Sequence, residues 1–216
     1  MKLSNKIIAF QCTAKGGYCY CVKTTDGYTL IDTGMPWLTD KILEELSQFN
    51  IFPSQIKKIL LTHGDVDHIG NVNKLRKITD CDVYADEQEI PYLEKKKRYS
   101  FIKAFFKILL HIGKILKVKP LPKNNIGEIK IIKTPGHTPG HTCFKFENAI
   151  FLGDLVEMNK NKTITILPKL MTFNPSQVIE SIKSLDVTGV QFLYLAHGGM
   201  IEVSEWKKFV QTLSSK

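Results

Sequence analysis

The stretch Leu61-Thr62-His63-Gly64-Asp65-Val66-Asp67-His68-Ile69-Gly70-Asn71 constrains this chain more than any other, because four potential metal ligands fall within six residues. The apolar run Lys57-Lys58-Ile59-Leu60-Leu61 precedes it as a buried strand would, and Ile69, Val72, Leu75 and Ile78 follow at helical spacing. The cluster therefore sits on a strand-to-helix turn, where layered folds of strands and helices aim several side chains at one point. A lone Asp-x-Asp there reads first as a helix cap. Two imidazoles and a glycine in the same turn favour a divalent cation instead, zinc first, then iron or manganese.

A chain of 216 residues is long enough for one domain with a real core, so residues 1–216 are read as a single unit. The start, Met1 to Lys6, lacks the apolar run of a signal peptide, and no stretch approaches an uncharged membrane span; a soluble, cytoplasmic protein is expected. Cys12, Cys19, Cys21, Cys81 and Cys143 form no Cys-x-x-Cys pair, which fits reduced, buried thiols. Cys19 and Cys21 share one face of a strand, where they are poorly placed to bridge.

The net charge of +9 is local. Between Glu94 and Lys123 stand ten basic residues and one acid, so the rest of the chain sums to zero. That argues against a nucleic-acid binder, whose footprint would be broader. On a helical wheel, Lys103, Lys107, Lys114 and Lys117 of the 99–118 stretch share one side, and Phe101, Phe105, Ile108, Leu109, Ile112, Ile115 and Leu116 the other. The spacing predicts a basic amphipathic helix within an insertion at about 87–123, with His111 a surface residue at the border of the two faces. Such a helix packs on the domain, covers the site as a lid lining an apolar pocket, self-associates, or touches an anionic membrane surface.

Elsewhere, strands are expected at Ile7–Gln11, Tyr18–Lys23, Tyr28–Asp32, Lys58–Leu61, Cys81–Ala85, Glu128–Lys133, Thr142–Phe146, Ala149–Leu152 and, as the last, Val190–Leu195. Helices are expected from Thr39, over Ile69–Thr79, after the Asn174-Pro175 start signal, and after Ser204. Five of the six histidines then fall in turns after apolar strands or in the strand that follows such a turn. Asp32, Asp65, Asp67 and Asp154 take similar places, although Asp32 alone reads as a cap. This pattern argues for one site built from several turns.

His63-x-Asp65-x-Asp67-His68, Thr-Pro-Gly-His137, Gly-Asp154 and Ala-His197-Gly-Gly resemble, in order, the motifs of the metallo-β-lactamase superfamily, over Asp32 to Gly199. The resemblance implies an α+β fold, a four-layer αββα sandwich, with a two-metal hydrolytic centre at one edge. Carried over, His63, Asp65 and His137 hold one metal and Asp67, His68 and His197 the other, with Asp154 bridging. Asp32 and His141 fall where the family places residues that orient ligands by hydrogen bonds. Asp67 doubles as the catalytic residue that orients or deprotonates the nucleophile.

One position departs from the family. Asp65 stands where the common motif has histidine, and a third carboxylate brings the site closer to balancing two divalent ions. A less acidic bridging water and greater tolerance of iron or manganese are the expectation.

The implied chemistry is hydrolysis by a metal-bridging hydroxide of an ester, thioester or lactone in a small, apolar substrate, as on the glyoxalase II and lactonase side of the family. Asp154 argues against a true β-lactamase. The alternatives are a metal-dependent nuclease or phosphodiesterase, and a non-catalytic metal-binding regulator. The motifs identify neither the substrate nor the oligomeric state.

Overall fold

Alternation along the strands sorts the interior into layers. In the computed structural model, which describes residues 1–12, 17–99, 103 and 108–214, strand β1 (Ile7–Gln11) sends Ile7 and Ala9 to one side and Ile8 and Phe10 to the other. The first pair meets Phe144, Phe146 and Phe151 of a second sheet. The other pair joins Ile42, Leu46, Val72 and Leu75 from helices on the outside. Across the molecule, Cys143 and Ile150 turn outward onto Val178, Ile182 and Trp206, which come from two further helices. The order helix, sheet, sheet, helix is the αββα sandwich.

The first sheet runs β1, β2 (Tyr18–Thr24), β3 (Gly27–Ile31), β4 (Ile56–Leu60), β5 (Asp82–Ala85) and β6 (Lys119–Pro120). The second contains β7 (Asn125–Ile126), β8 (Ile129–Lys133), β9 (Thr142–Phe146), β10 (Ala149–Phe151), β13 (Phe192–Leu195) and β14 (Gly199–Glu202), in the order β14-β13-β10-β9-β8-β7. A small hairpin, β11 (Glu157–Met158) with β12 (Ile164–Thr165), lies in the connection between β10 and the helix Pro175–Ser184.

Direction matters more than order. Strands β3 and β4 are parallel, β10 and β13 are parallel, and β8 runs the same way as β10 because both are antiparallel to β9. Their carboxyl ends deliver Asp32, His63, His137, Asp154 and His197, so the turns that carry these residues start at the ends where such folds place ligands.

Three expectations are corrected. The 99–118 span is not one helix: Lys103, Ile108 and Leu109 are helical, the chain turns at Leu110–His111 with His111 at φ +52°, and residues 112–118 are not helical. Their polar backbone groups bond outside the segment instead, Ile115 N–H to Leu93 O (3.0 Å) and Asn73 Nδ2 to Lys114 O (3.0 Å), while Ile112, Ile115 and Val118 are drawn into the core. Phe101, Phe105 and Lys107 lie outside the described residues. Second, Val190–Leu195 is not the last strand, since β14 follows His197 directly.

Third, the Ile69–Thr79 helix is two, Val66–Ile69 and Val72–Thr79, and Ile78 on its supposed inner face is 47% exposed. The break at Gly70-Asn71 is anchored by Asn71, whose Nδ2 donates to Thr33 O (2.6 Å) and Met35 O (2.7 Å).

Candidate metal centre

Each candidate ligand owes its aim to the turn that carries it. Asp65 stands at the N-cap position of Val66–Ile69, yet its carboxylate makes no capping bond and turns inward. Asp67 and His68 follow on that first helical turn, and His137 rides a tight loop closed by Thr134 N–H to His141 O (2.9 Å) and Gly136 N–H to Thr138 O (3.0 Å). Asp154 follows Gly153, which adopts φ +54°; a Cβ there would lie 2.8 Å from both His141 Nε2 and Thr62 Cβ, so only glycine fits.

The structure brings all seven predicted ligands together in two groups. His63, Asp65, His137 and Asp154 offer ligand atoms within 4.8 Å of one another, and so do Asp67, His68 and His197. Asp65 Oδ2 lies 3.0 Å from His137 Nε2 and 3.5 Å from His63 Nε2; Asp67 Oδ2 lies 3.1 Å from His197 Nε2. Asp154 spans the groups. Its Oδ2 is 3.7 Å from His63 Nε2 and 3.5 Å from His137 Nε2, and its Oδ1 is 3.2 Å from His68 Nε2 and 3.4 Å from His197 Nε2.

A second set of bonds fixes the rings. Asp32, at φ +61°, accepts from Thr62 N–H (2.9 Å) and Thr62 Oγ1–H (2.6 Å), and its Oδ2 lies 2.8 Å from His68 Nδ1. Thr62 Oγ1, its proton spent on Asp32, accepts from His63 Nδ1 at 3.0 Å. One carboxylate thus fixes two imidazoles with Nδ1 protonated and the Nε2 lone pairs turned inward, as a ligated histidine requires. His141 is not in either group. Its Nε2 accepts the Asp154 backbone N–H (3.1 Å) while Nδ1 faces Thr134 Oγ1 (2.9 Å) and Thr134 O (3.2 Å), and burial holds it neutral by pulling its pKa down to about 3.

These donors suit cations. His63 Nε2, His68 Nε2, Asp65 Oδ1 and Asp154 Oδ1 are buried with no hydrogen-bond partner among the described residues, an arrangement costly for a protein unless a positive charge completes it. Burial, with His68 next to it, keeps the His63 imidazole well below its usual range and hence neutral. On the rim, Asp154 pushes His197 up to about 9, with Asp67 adding to it.

Three contributors went unread in the sequence. Thr62 is the residue before His63, and Glu89 is a fully buried carboxylate whose Oε1 accepts from Gly140 N–H (2.8 Å) and whose Oε2 accepts from the Tyr99 hydroxyl. The third is Lys103. Placed by periodicity on the basic side of the amphipathic stretch, it is buried, with Nζ 2.6 Å from Asp65 Oδ2 and 3.1 Å from His137 Nε2. Beside Asp65, Val66, Asp67 and Lys103 opens a cavity of about 320 Å³ walled by Met35, Leu109, Leu110 and Met171.

Fold and ligand pattern together define a class. A profile of the metallo-beta-lactamase superfamily matches residues 12–197, and the chain belongs to that superfamily. Among curated relatives it is 29% identical over 202 residues to the probable metallo-hydrolase YflN of Bacillus subtilis, covering 79% of this chain and 75% of YflN. It is 27% identical to the probable polyketide biosynthesis zinc-dependent hydrolase PksB of the same organism, over 72% of this chain and 63% of that protein. In fold it is similar to the archaeal superfamily protein ST1585 from Sulfolobus tokodaii (TM-score 0.75, 19% identity, 99% of this chain and 88% of that one). It is likewise similar to TTHA1623, solved in a di-iron-bound form (TM-score 0.75, 23% identity, 93% and 97%). No helix among the described residues is long and apolar enough to cross a membrane.

Proposed function

We propose that this protein is a metal-dependent hydrolase of ester, thioester or lactone bonds in a small substrate with an apolar acyl or alkyl part. His63, Asp65, His137 and one oxygen of Asp154 would hold one divalent ion, and Asp67, His68, His197 and the other oxygen of Asp154 a second, zinc first and iron or manganese as substitutes. When bound, the ions supply Lewis acidity and lower the pKa of water at the site.

The chain's own residues supply the rest. Asp32 and Thr62 keep the imidazoles oriented, so no reorganisation is needed as charge develops. Asp67, 27% exposed at its side chain, faces both the metal site and the cavity and is the carboxylate placed to take a proton from attacking water. The observation that carries the substrate class is the cavity: Met35, Val66, Leu109, Leu110 and Met171 form an apolar wall that ends at the ligands Asp65 and Asp67. A wall of that kind favours an acyl chain over a phosphodiester backbone. The zinc-dependent relative named for polyketide biosynthesis agrees with acyl chemistry.

The test is hydrolysis of acyl thioesters, p-nitrophenyl esters and lactones of increasing chain length by the zinc-loaded protein. Expected is a kcat/KM that climbs with each methylene until the chamber is filled, by up to about fourfold per step, and collapses in Asp67→Asn. Hydrolysis of phosphodiesters alone, with salt-sensitive RNA binding, would replace this reading with the nuclease one.

A further inference from the structure

We propose that Lys103 is a built-in cation of the metal centre that competes with the ion at the His63–Asp65–His137 position. The Asp67–His68–His197 position then fills first and the other is filled more weakly. The inference rests on the reading that these side chains hold metal.

Lysine has three donors and no lone pair, so at 3.1 Å from His137 Nε2 and 2.6 Å from Asp65 Oδ2 its ammonium engages the acceptor electrons that a metal would need. The two cations exclude each other at those atoms. Lys103 is the only buried lysine among the described residues, and it pairs with Asp65, one of the two carboxylates of that group.

The charges match. With histidines neutral, His63, Asp65, His137 and Asp154 carry −2, and Lys103 returns the group to −1, the value it would have with histidine at position 65. Without the ion, the extra carboxylate therefore leaves the group no more negative than a histidine at position 65 would.

Lys103 is also moored. Its Nζ lies 5.5 Å from the centroid of the Tyr99 ring; Tyr99 stacks on Tyr92 at 4.1 Å and donates to Glu89, which accepts in turn from Gly140 in the His137 loop. A chain of contacts thus ties the insertion to the ligand loop, and the ammonium is held by Asp65 and His137 at the end of it.

The experiment is a zinc titration against a chromophoric chelator, with no activity assay involved. Wild type is expected to bind two ions in distinct steps, the second at least about tenfold weaker. In Lys103→Met the second step should tighten by about 10–100-fold, the range by which neighbours of ligands tune affinity, with the first unmoved. Lys103→Gln should do the same, and Lys103→Arg, which keeps the charge, should stay within threefold or so of wild type. Two equal steps in wild type overturn the proposal without any variant, and so does a Lys103→Met that moves neither step or both alike. Wild type that binds no zinc at all would instead remove the hydrolase reading itself.

Discussion

The ligand-bearing turns and the 87–123 insertion meet at Asp65, and they obey different rules. Each turn is a few residues long, follows the carboxyl end of a strand, and is pinned by local bonds such as Thr134 N–H to His141 O. The second half of the insertion is placed largely from outside it: Lys114 O and Leu116 O accept from Asn73 and Arg76, and the buried Lys103 is paired with a carboxylate nearly forty residues away. Geometry set by short range can be read locally, and geometry set by tertiary contact cannot.

Substitutions should separate the two regions. The largest effect is expected at Asp154, the one residue within reach of both groups: Asp154→Ala should cut hydrolysis by at least about 1000-fold, beyond the loss of a single transition-state hydrogen bond. Steady-state kinetics with a thioester substrate checks this, and retention of a tenth of the activity would show that the turns do not form one centre. Next, Asp32→Asn should weaken zinc binding by about 10–100-fold with the fold intact by circular dichroism, because it disturbs His68 and, through Thr62, His63. An unchanged affinity would reduce Asp32 to the cap that its sequence context suggests.

The insertion should answer differently. Leu110→Ser in the cavity wall should raise KM for long acyl substrates by about three- to tenfold while short ones are unaffected, since what is lost is apolar contact worth about 1 kcal/mol. A matching loss for short substrates would mean that the wall supports the metal centre rather than the chain of the substrate. The smallest effect concerns the thiols. All five cysteines are buried and free, and burial pushes Cys143 up to about 12, so at pH 8 it stays a protonated thiol. A thiol-specific chromogenic disulfide should find essentially none in the native protein and all five after unfolding; fast reaction of one would mark a breach in the layers.

The strands ending at Ile31, Leu60, Lys133, Phe151 and Leu195 follow from apolar runs bounded by Gly, Pro and Asp, and the histidines and acids beyond them stand out because two of the turns carry several at once. Asp32 was harder to read. A single acid after a strand looks like a cap until Thr62 and His68 close on it from the turn and short helix that follow β4. The role of Lys103 is not legible in the sequence, because helical periodicity separates polar from apolar faces and says nothing of what a polar face meets. The wheel also carried the helix past His111, although Ile112, Ile115 and Val118 are pulled into the core as non-helical chain. The only hint lay elsewhere, in an aspartate at position 65 that added a charge no neighbour in sequence balanced.

If five strand-end turns assemble a metal centre, elemental mass spectrometry of the protein purified without added metal should find the ion. At least one zinc, iron or manganese ion per chain is expected in wild type, and close to none in His68→Ala paired with Asp154→Ala. Wild type that carries no metal, and takes up none when dialysed against zinc, would contradict it.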